Sequence, residues 1–140
     1  MRTVSPRWTT GRVVAVAAGG AVGAGVRWWA IAAWPTGSGF PWVVLVINCA
    51  GSFILGALLA EEWTHPRARL VLHDAGGIGL CGGLTTFSTY AVEVVDLLDR
   101  DRIAIAITYT LASVAGAIAA AVAGAASLRR VRALATPVET

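Results

Sequence analysis

Asn48 and Ser52 lie four residues apart, as do Tyr109 and Ser113, and residues 82–90 read GGLTTFSTY, so amide, hydroxyl and aromatic groups interrupt otherwise apolar runs. A four-residue spacing puts each pair on one helix face. Thr108 and Thr110 add hydroxyls beside Tyr109, and Arg27 carries a fixed charge in another apolar run. Hydrocarbon satisfies neither donors nor acceptors, so polar groups inside apolar spans are where function concentrates. The chemistry on offer is desolvation. Hydroxyl and amide hydrogens and the positive edges of aromatic rings can replace the water around a small anion, and backbone carbonyls freed from a helix suit a small hard cation such as Na⁺. The plainer reading is that Ser, Thr and Asn bond across membrane helices for packing alone.

The elements that must position these groups are membrane helices. The chain has 140 residues, 56% of them apolar and 14% charged, with a mean hydropathy of +0.70, a balance far from that of a soluble domain. A bilayer core of roughly 30 Å takes about 20 apolar residues per helix. Four such stretches stand out, at about 13–34, 42–60, 70–98 and 103–128. They predict an all-α integral membrane protein forming one four-span unit. The linkers carry physical markers: PTGSGFP at 35–41, the charged EEWTHPRAR at 61–69 and DRDR at 99–102. Trp8, Trp28, Trp29, Trp34, Trp42 and Trp63 fall at or near span ends, where indoles favour the headgroup region.

Residues 70–98 number 29, more than the roughly 20 that cross a bilayer. The excess falls where Gly82, Gly83 and the Thr85–Thr86 pair disfavour a regular helix, which predicts a helix broken at the membrane midplane. Backbone groups freed at such depth are tolerated only against protein, water or an ion.

Other chemistries find little support. Cys49 and Cys81 fall inside spans and read as small buried hydrophobes. His65 and His73 are too far apart for a metal site and read as interfacial. The carboxylates Glu61, Glu62, Asp74, Glu93, Asp96, Asp99, Asp101 and Glu139 cluster towards span ends, with no Ser–His–Asp arrangement or phosphate loop, so the chain is not expected to be an enzyme. Arg2, Arg7 and Arg12 before an apolar run imitate a signal peptide, but three further spans follow, and cleavage would remove Arg27. The net charge of +3 comes with no lysine and fits membrane orientation better than nucleic-acid binding. Gly19 and Gly23, and Gly116, Ala120 and Gly124, have the spacing of close helix contacts and suggest an oligomer.

Taken together, GGLTTFST, VINCAGSFILG (46–56) and GGAVGAGVRW (19–28) resemble the Fluc or CrcB family of bacterial fluoride channels. The likeness spans nearly the whole chain. It implies a four-helix subunit in an antiparallel dimer in the bacterial inner membrane, with fluoride pathways and a central Na⁺ held by backbone carbonyls. Carried over by motif, the Na⁺ carbonyls are those of Gly82 and Thr85, the pore-facing amide is Asn48, and Phe87 is the first pathway aromatic. Ser88, Thr89, Tyr109 and Ser113 take the positions of the polar track, and Arg27 that of a vestibule arginine or of a side chain snorkelling to the headgroups. The implied activity is passive fluoride export, which lowers cytoplasmic fluoride.

The chain departs from that pattern at Tyr90, where a second Phe is usual. Its hydroxyl has two readings, a donor to fluoride or an obstruction. The arginines are also uneven: the termini and second loop carry eight (Arg2, Arg7, Arg12, Arg67, Arg69, Arg129, Arg130, Arg132) against two opposite (Arg100, Arg102). That bias predicts both termini cytoplasmic, and leaves open self-pairing or pairing with a sister subunit of opposite bias. The competing classes are a small dual-topology multidrug or metabolite transporter and an accessory membrane subunit. A proton-coupled exporter needs an acid deep in a span, and Glu61, Glu62, Glu93 and Asp96 do not supply one at the midplane.

Overall fold

The computed structural model describes residues 9–37, 39–60, 63 and 65–135. Arg2, Arg7, Trp8, Glu61, Glu62 and Glu139 lie outside them. Every regular element among the described residues is helical: α1 (Thr10–Ala33), α2 (Trp42–Leu59), α3 (residues 66–84), α4 (Phe87–Asp99) and α5 (Ile103–Ala135). Four stretches are long and apolar enough to cross a membrane: Thr10–Ala33, Trp42–Leu59, Pro66–Asp99 and Ile103–Leu134. The third begins earlier than the sequence suggests because Pro66 opens a helical turn, where its missing N–H costs nothing. α5 runs past Leu128 to Ala135. Its 33 residues make about 50 Å at ~1.5 Å each, so the end bearing Arg129, Arg130 and Arg132 outruns the hydrocarbon.

The DRDR segment closes α4. Asp101 takes φ 56°, Arg102 N donates to Leu97 O (2.8 Å) and Asp101 N to Leu98 O (3.0 Å). This paired return of amides onto the last carbonyls ends a helix, and Asp tolerates the left-handed conformation through its short polar side chain. Arg100 then pairs with Asp96 one turn back.

Within α3, Arg69–Cys81 is wound as a π-helix, flanked by the short α-helical turns Pro66–Ala68 and Gly82–Leu84. Such winding holds more residues per turn than an α-helix and occurs mostly as short inserts near functional sites. The surplus length of the third span is thus shared between this wide winding and an interruption at Thr85 and Thr86. The interruption is narrower than the sequence suggests, since Gly82 and Gly83 are still helical.

The helices pair as α1 with α3 and α2 with α5, and α4 lies on α5. Glycines set the first two approaches. A Cβ at Gly19 would strike the Ala75 carbonyl, one at Gly83 the Gly20 carbonyl, and one at Gly124 the Phe53 carbonyl. The small-residue spacings read from sequence therefore serve contacts inside the subunit. Little is buried besides: Leu97, Ala106 and Tyr109 form a small core, with Val44, Ile47, Cys81 and Leu84 elsewhere. Most large apolar side chains, including Val22, Leu111 and Ile118, are exposed, as a lipid-facing surface requires. Trp28, Trp29, Trp34 and Trp42 are exposed around the α1–α2 turn. Trp63, at the other end of α2, donates to Leu58 O (2.8 Å) and lies 4.9 Å under the Arg132 guanidinium.

Asp74 and His73 meet beside Arg12. Asp74 is only 1% exposed, bound by Arg12 through both oxygens (2.6 and 2.9 Å) and contacted by His73 Nδ1 (2.9 Å). The close packing of α1 on α3 brings Arg12 across to neutralise the carboxylate. Cys49 and Cys81 are free thiols, as their positions suggest.

Candidate functional site

The interruption in the third span organises the site. Thr85 (φ −74°, ψ 151°) and Thr86 (φ −147°, ψ 122°) are extended. The Thr85 carbonyl and both backbone groups of Thr86 therefore leave the helical ladder and need other partners. Thr85 N still reaches Cys81 O (2.9 Å), and its hydroxyl donates to the same oxygen (2.9 Å). Thr86 N donates to Asn48 Oδ1 (2.8 Å), and Asn48 Nδ2 donates to Thr86 O (3.1 Å). One side-chain amide on α2 thus satisfies both backbone groups of Thr86. The second Nδ2 hydrogen of Asn48 is not needed for this clamp.

Thr86 also starts α4. Its Oγ1 accepts from Thr89 N (3.1 Å), the usual way a threonine caps a helix. The same hydroxyl contacts Thr89 Oγ1 (3.0 Å) and Ser88 Oγ (3.2 Å). Three hydroxyls are thereby gathered at the amide end of a helix, where the backbone dipoles favour negative charge.

Asn48, Ser52, Thr85, Thr86, Phe87, Tyr90 and Ser113 line one groove of about 310 Å³ on the flank of the subunit. Of the residues singled out from sequence, it gathers Asn48, Ser52, Thr85, Thr86, Phe87, Tyr90 and Ser113. Ser113 Oγ is buried without a hydrogen-bond partner among the described residues. Phe87 stands 80% exposed, Ser88 and Gly82 are also exposed, and Thr89 is half-buried.

Tyr109 sits behind the groove, fully buried. Its ring lies 5.3 Å from Tyr90 and 5.5 Å edge-on from Phe40, and Tyr90 lies 5.7 Å from Phe87. Tyr109 OH donates to Glu93 Oε2 (2.6 Å), and Thr36 Oγ1 donates to Glu93 Oε1 (3.3 Å). A row of rings thus runs from the break to a carboxylate. Reading the sequence alone missed Glu93, Thr36 and Phe40. The signal for Glu93 was its place three residues after Tyr90, on the same helix face; Phe40 and Thr36 lie in a loop whose return onto α4 and α5 is a tertiary fact.

Arg27 points to the break, its Nη1 donating to Thr85 O (3.1 Å). This bears on the cation implied by resemblance. In a continuous helix Thr86 N would bond Gly82 O, but it is held by Asn48, and a Cβ at Gly82 would meet nothing within 4 Å. The Gly82 carbonyl thus lacks the amide that a continuous helix would offer it, and a backbone oxygen is the hard ligand type that suits Na⁺. The Thr85 carbonyl fits less simply, because a guanidinium already holds it.

Comparison with known proteins decides the family. The model of the family described as CrcB-like protein, Camphor Resistance (CrcB), matches residues 14–125. The chain belongs to the CrcB family. Among its relatives, a Bordetella petrii protein named fluoride-specific ion channel FluC is 40% identical over 119 residues, covering 85% of this chain and 92% of its own. Nocardia farcinica FluC 2 is 36% identical over 121 residues, 84% of each chain. Halobacterium salinarum FluC 1 is 43% identical over 104 residues, 74% of this chain and 82% of its own. This CrcB protein is a multi-pass membrane protein, and the channel names of its relatives agree with the expectation that it is not an enzyme.

Proposed function

We propose that this CrcB-family chain is a subunit of a fluoride channel through which fluoride leaves the cell down its gradient. The observation that carries the reading is a groove lined by an amide, hydroxyls and aromatic rings on the flank of a membrane-spanning unit. Lipid would leave those groups unsatisfied, so protein must cover the groove, and an antiparallel second subunit does so while closing a route. The cover is a copy of this chain or a sister chain; the arginine bias favours a fixed topology with both termini cytoplasmic.

Fluoride is small and strongly hydrated, so its water must be replaced by donors in series. The free Asn48 amide hydrogen, the hydroxyls of Ser88, Thr89 and Ser113, and the ring edges of Phe87 and Tyr90 supply them. Tyr109 and Glu93 anchor the aromatic row from behind. Gly82 and Thr85 carbonyls would hold a structural Na⁺, which when bound offsets the partial negative charge at the carbonyl end of α3.

Efflux from liposomes tests the reading, with fluoride and chloride measured separately for the purified chain alone and with any encoded sister chain. Fluoride-selective efflux is expected. Failure to pass fluoride in preference to chloride in both preparations overturns it. Coupled uptake of organic cations would instead favour the transporter class, against which stands the engagement of Asp74 by Arg12 and of Glu93 by Tyr109.

A further inference from the structure

Arg27 is the charged side chain closest to the break, and its placement follows from the glycine packing. Gly23, one turn earlier on α1, rests on the Leu80 carbonyl, and Gly83 rests on the Gly20 carbonyl. Pressed this closely, α1 brings Arg27 level with Thr85, whose carbonyl accepts from Nη1 (3.1 Å). The amide that a continuous helix would offer that carbonyl is Thr89 N, which is instead capped by Thr86 Oγ1. No carboxylate lies within ion-pair distance of Arg27 among the described residues: the arginine–carboxylate pairs there are Arg12–Asp74 and Arg100–Asp96. A half-buried guanidinium in a membrane span without an acidic partner is costly unless other acceptors meet it. Here the acceptor is a backbone carbonyl at the negative end of a half-helix.

We infer that Arg27 is the resident cation of the break: it holds the Thr85 carbonyl from within the chain and opposes Na⁺ at that oxygen. This rests on the reading of the break as a Na⁺ site. Two cations drawn to one carbonyl repel each other strongly where little water screens them. The guanidinium therefore shapes the break without a bound ion and lowers the affinity of the break for Na⁺. Arg27 acts as a positioning residue, and its charge is the property that matters.

The test reads ion-dependent stability rather than fluoride flux, so it can fail separately from the channel reading. Purified wild type, Arg27→Gln and Arg27→Lys are melted in sodium chloride and in choline chloride at equal ionic strength. A ligand that binds only the folded state raises Tm with its affinity. Arg27→Gln should show a sodium-specific rise in Tm at least about twofold larger than wild type. Arg27→Lys, which keeps the charge, should stay close to wild type. Equal sodium responses in wild type and Arg27→Gln, or a response lost in Arg27→Gln, overturn the inference. If Arg27→Gln does not fold, Arg27→Met, also neutral and long enough to keep the packing, decides by the same criterion: a larger sodium response than wild type upholds the inference, and an equal one overturns it.

Discussion

Asn48 and Thr86 are joined by two hydrogen bonds, Thr86 N to Oδ1 at 2.8 Å and Nδ2 to Thr86 O at 3.1 Å, which together satisfy the backbone of one extended residue inside a membrane span. Neither atom of the amide is replaceable. Asn48→Asp keeps an acceptor but loses both N–H donors and places a carboxylate beside the Thr86 carbonyl. Leaving that carbonyl unpaired costs about 1–3 kcal/mol, and the groove loses its free amide hydrogen. Fluoride efflux from liposomes should fall to background, and Tm should drop.

Thr86 caps α4 through Oγ1. Thr86→Val keeps the branched shape and removes the oxygen, which should destabilise the protein by about 1 kcal/mol. Thr86→Ser should retain most of the stability. Thermal melting in detergent compares them, and equal melting of the valine and serine variants would rule out the cap as a stabilising element.

Arg12, half-buried on α1, reaches across to the buried carboxylate of Asp74 on α3. Removing Arg12 leaves the buried Asp74 carboxylate without its bidentate partner, whereas replacing both with apolar residues is often near neutral. Arg12→Leu should lower Tm sharply, and adding Asp74→Leu should recover most of the loss. A double-mutant cycle by thermal melting measures the coupling.

The two tyrosines of the aromatic row should respond differently to loss of the hydroxyl. Tyr109→Phe deletes the bond to Glu93, and hydrogen bonds to charged groups contribute about 1.5–3 kcal/mol. Tyr90→Phe keeps the ring contacts with Phe87 and Tyr109 and should leave stability within about 0.5 kcal/mol of wild type. Melting of both variants, followed by fluoride efflux of Tyr90→Phe, separates the hydroxyl bound to Glu93 from that of Tyr90, a residue lining the groove.

The span count and the third-span interruption were legible because hydropathy, end tryptophans and turn formers are local properties of the chain. Residues 82–90 announced the interruption through their composition. Its place was less legible: glycine disfavours a helix by backbone entropy, yet Gly82 and Gly83 stay helical because close contact with α1 favours a missing Cβ at Gly83, and the chain departs at Thr85 and Thr86, where Asn48 offers replacement bonds.

The sequence by itself determined the four spans, the polar residues they carry and the pairs that share a helix face, because these follow from hydrophobicity and a 3.6-residue period. Only the tertiary structure decided which of those groups meet. Asn48 finds Thr86, Arg27 finds the Thr85 carbonyl, Arg12 finds Asp74 and Tyr109 finds Glu93 across separations of 38, 58, 62 and 16 residues. Such partners depend on helix approach and rotation, set here by backbone contacts at Gly19, Gly83 and Gly124. No local pattern encodes them.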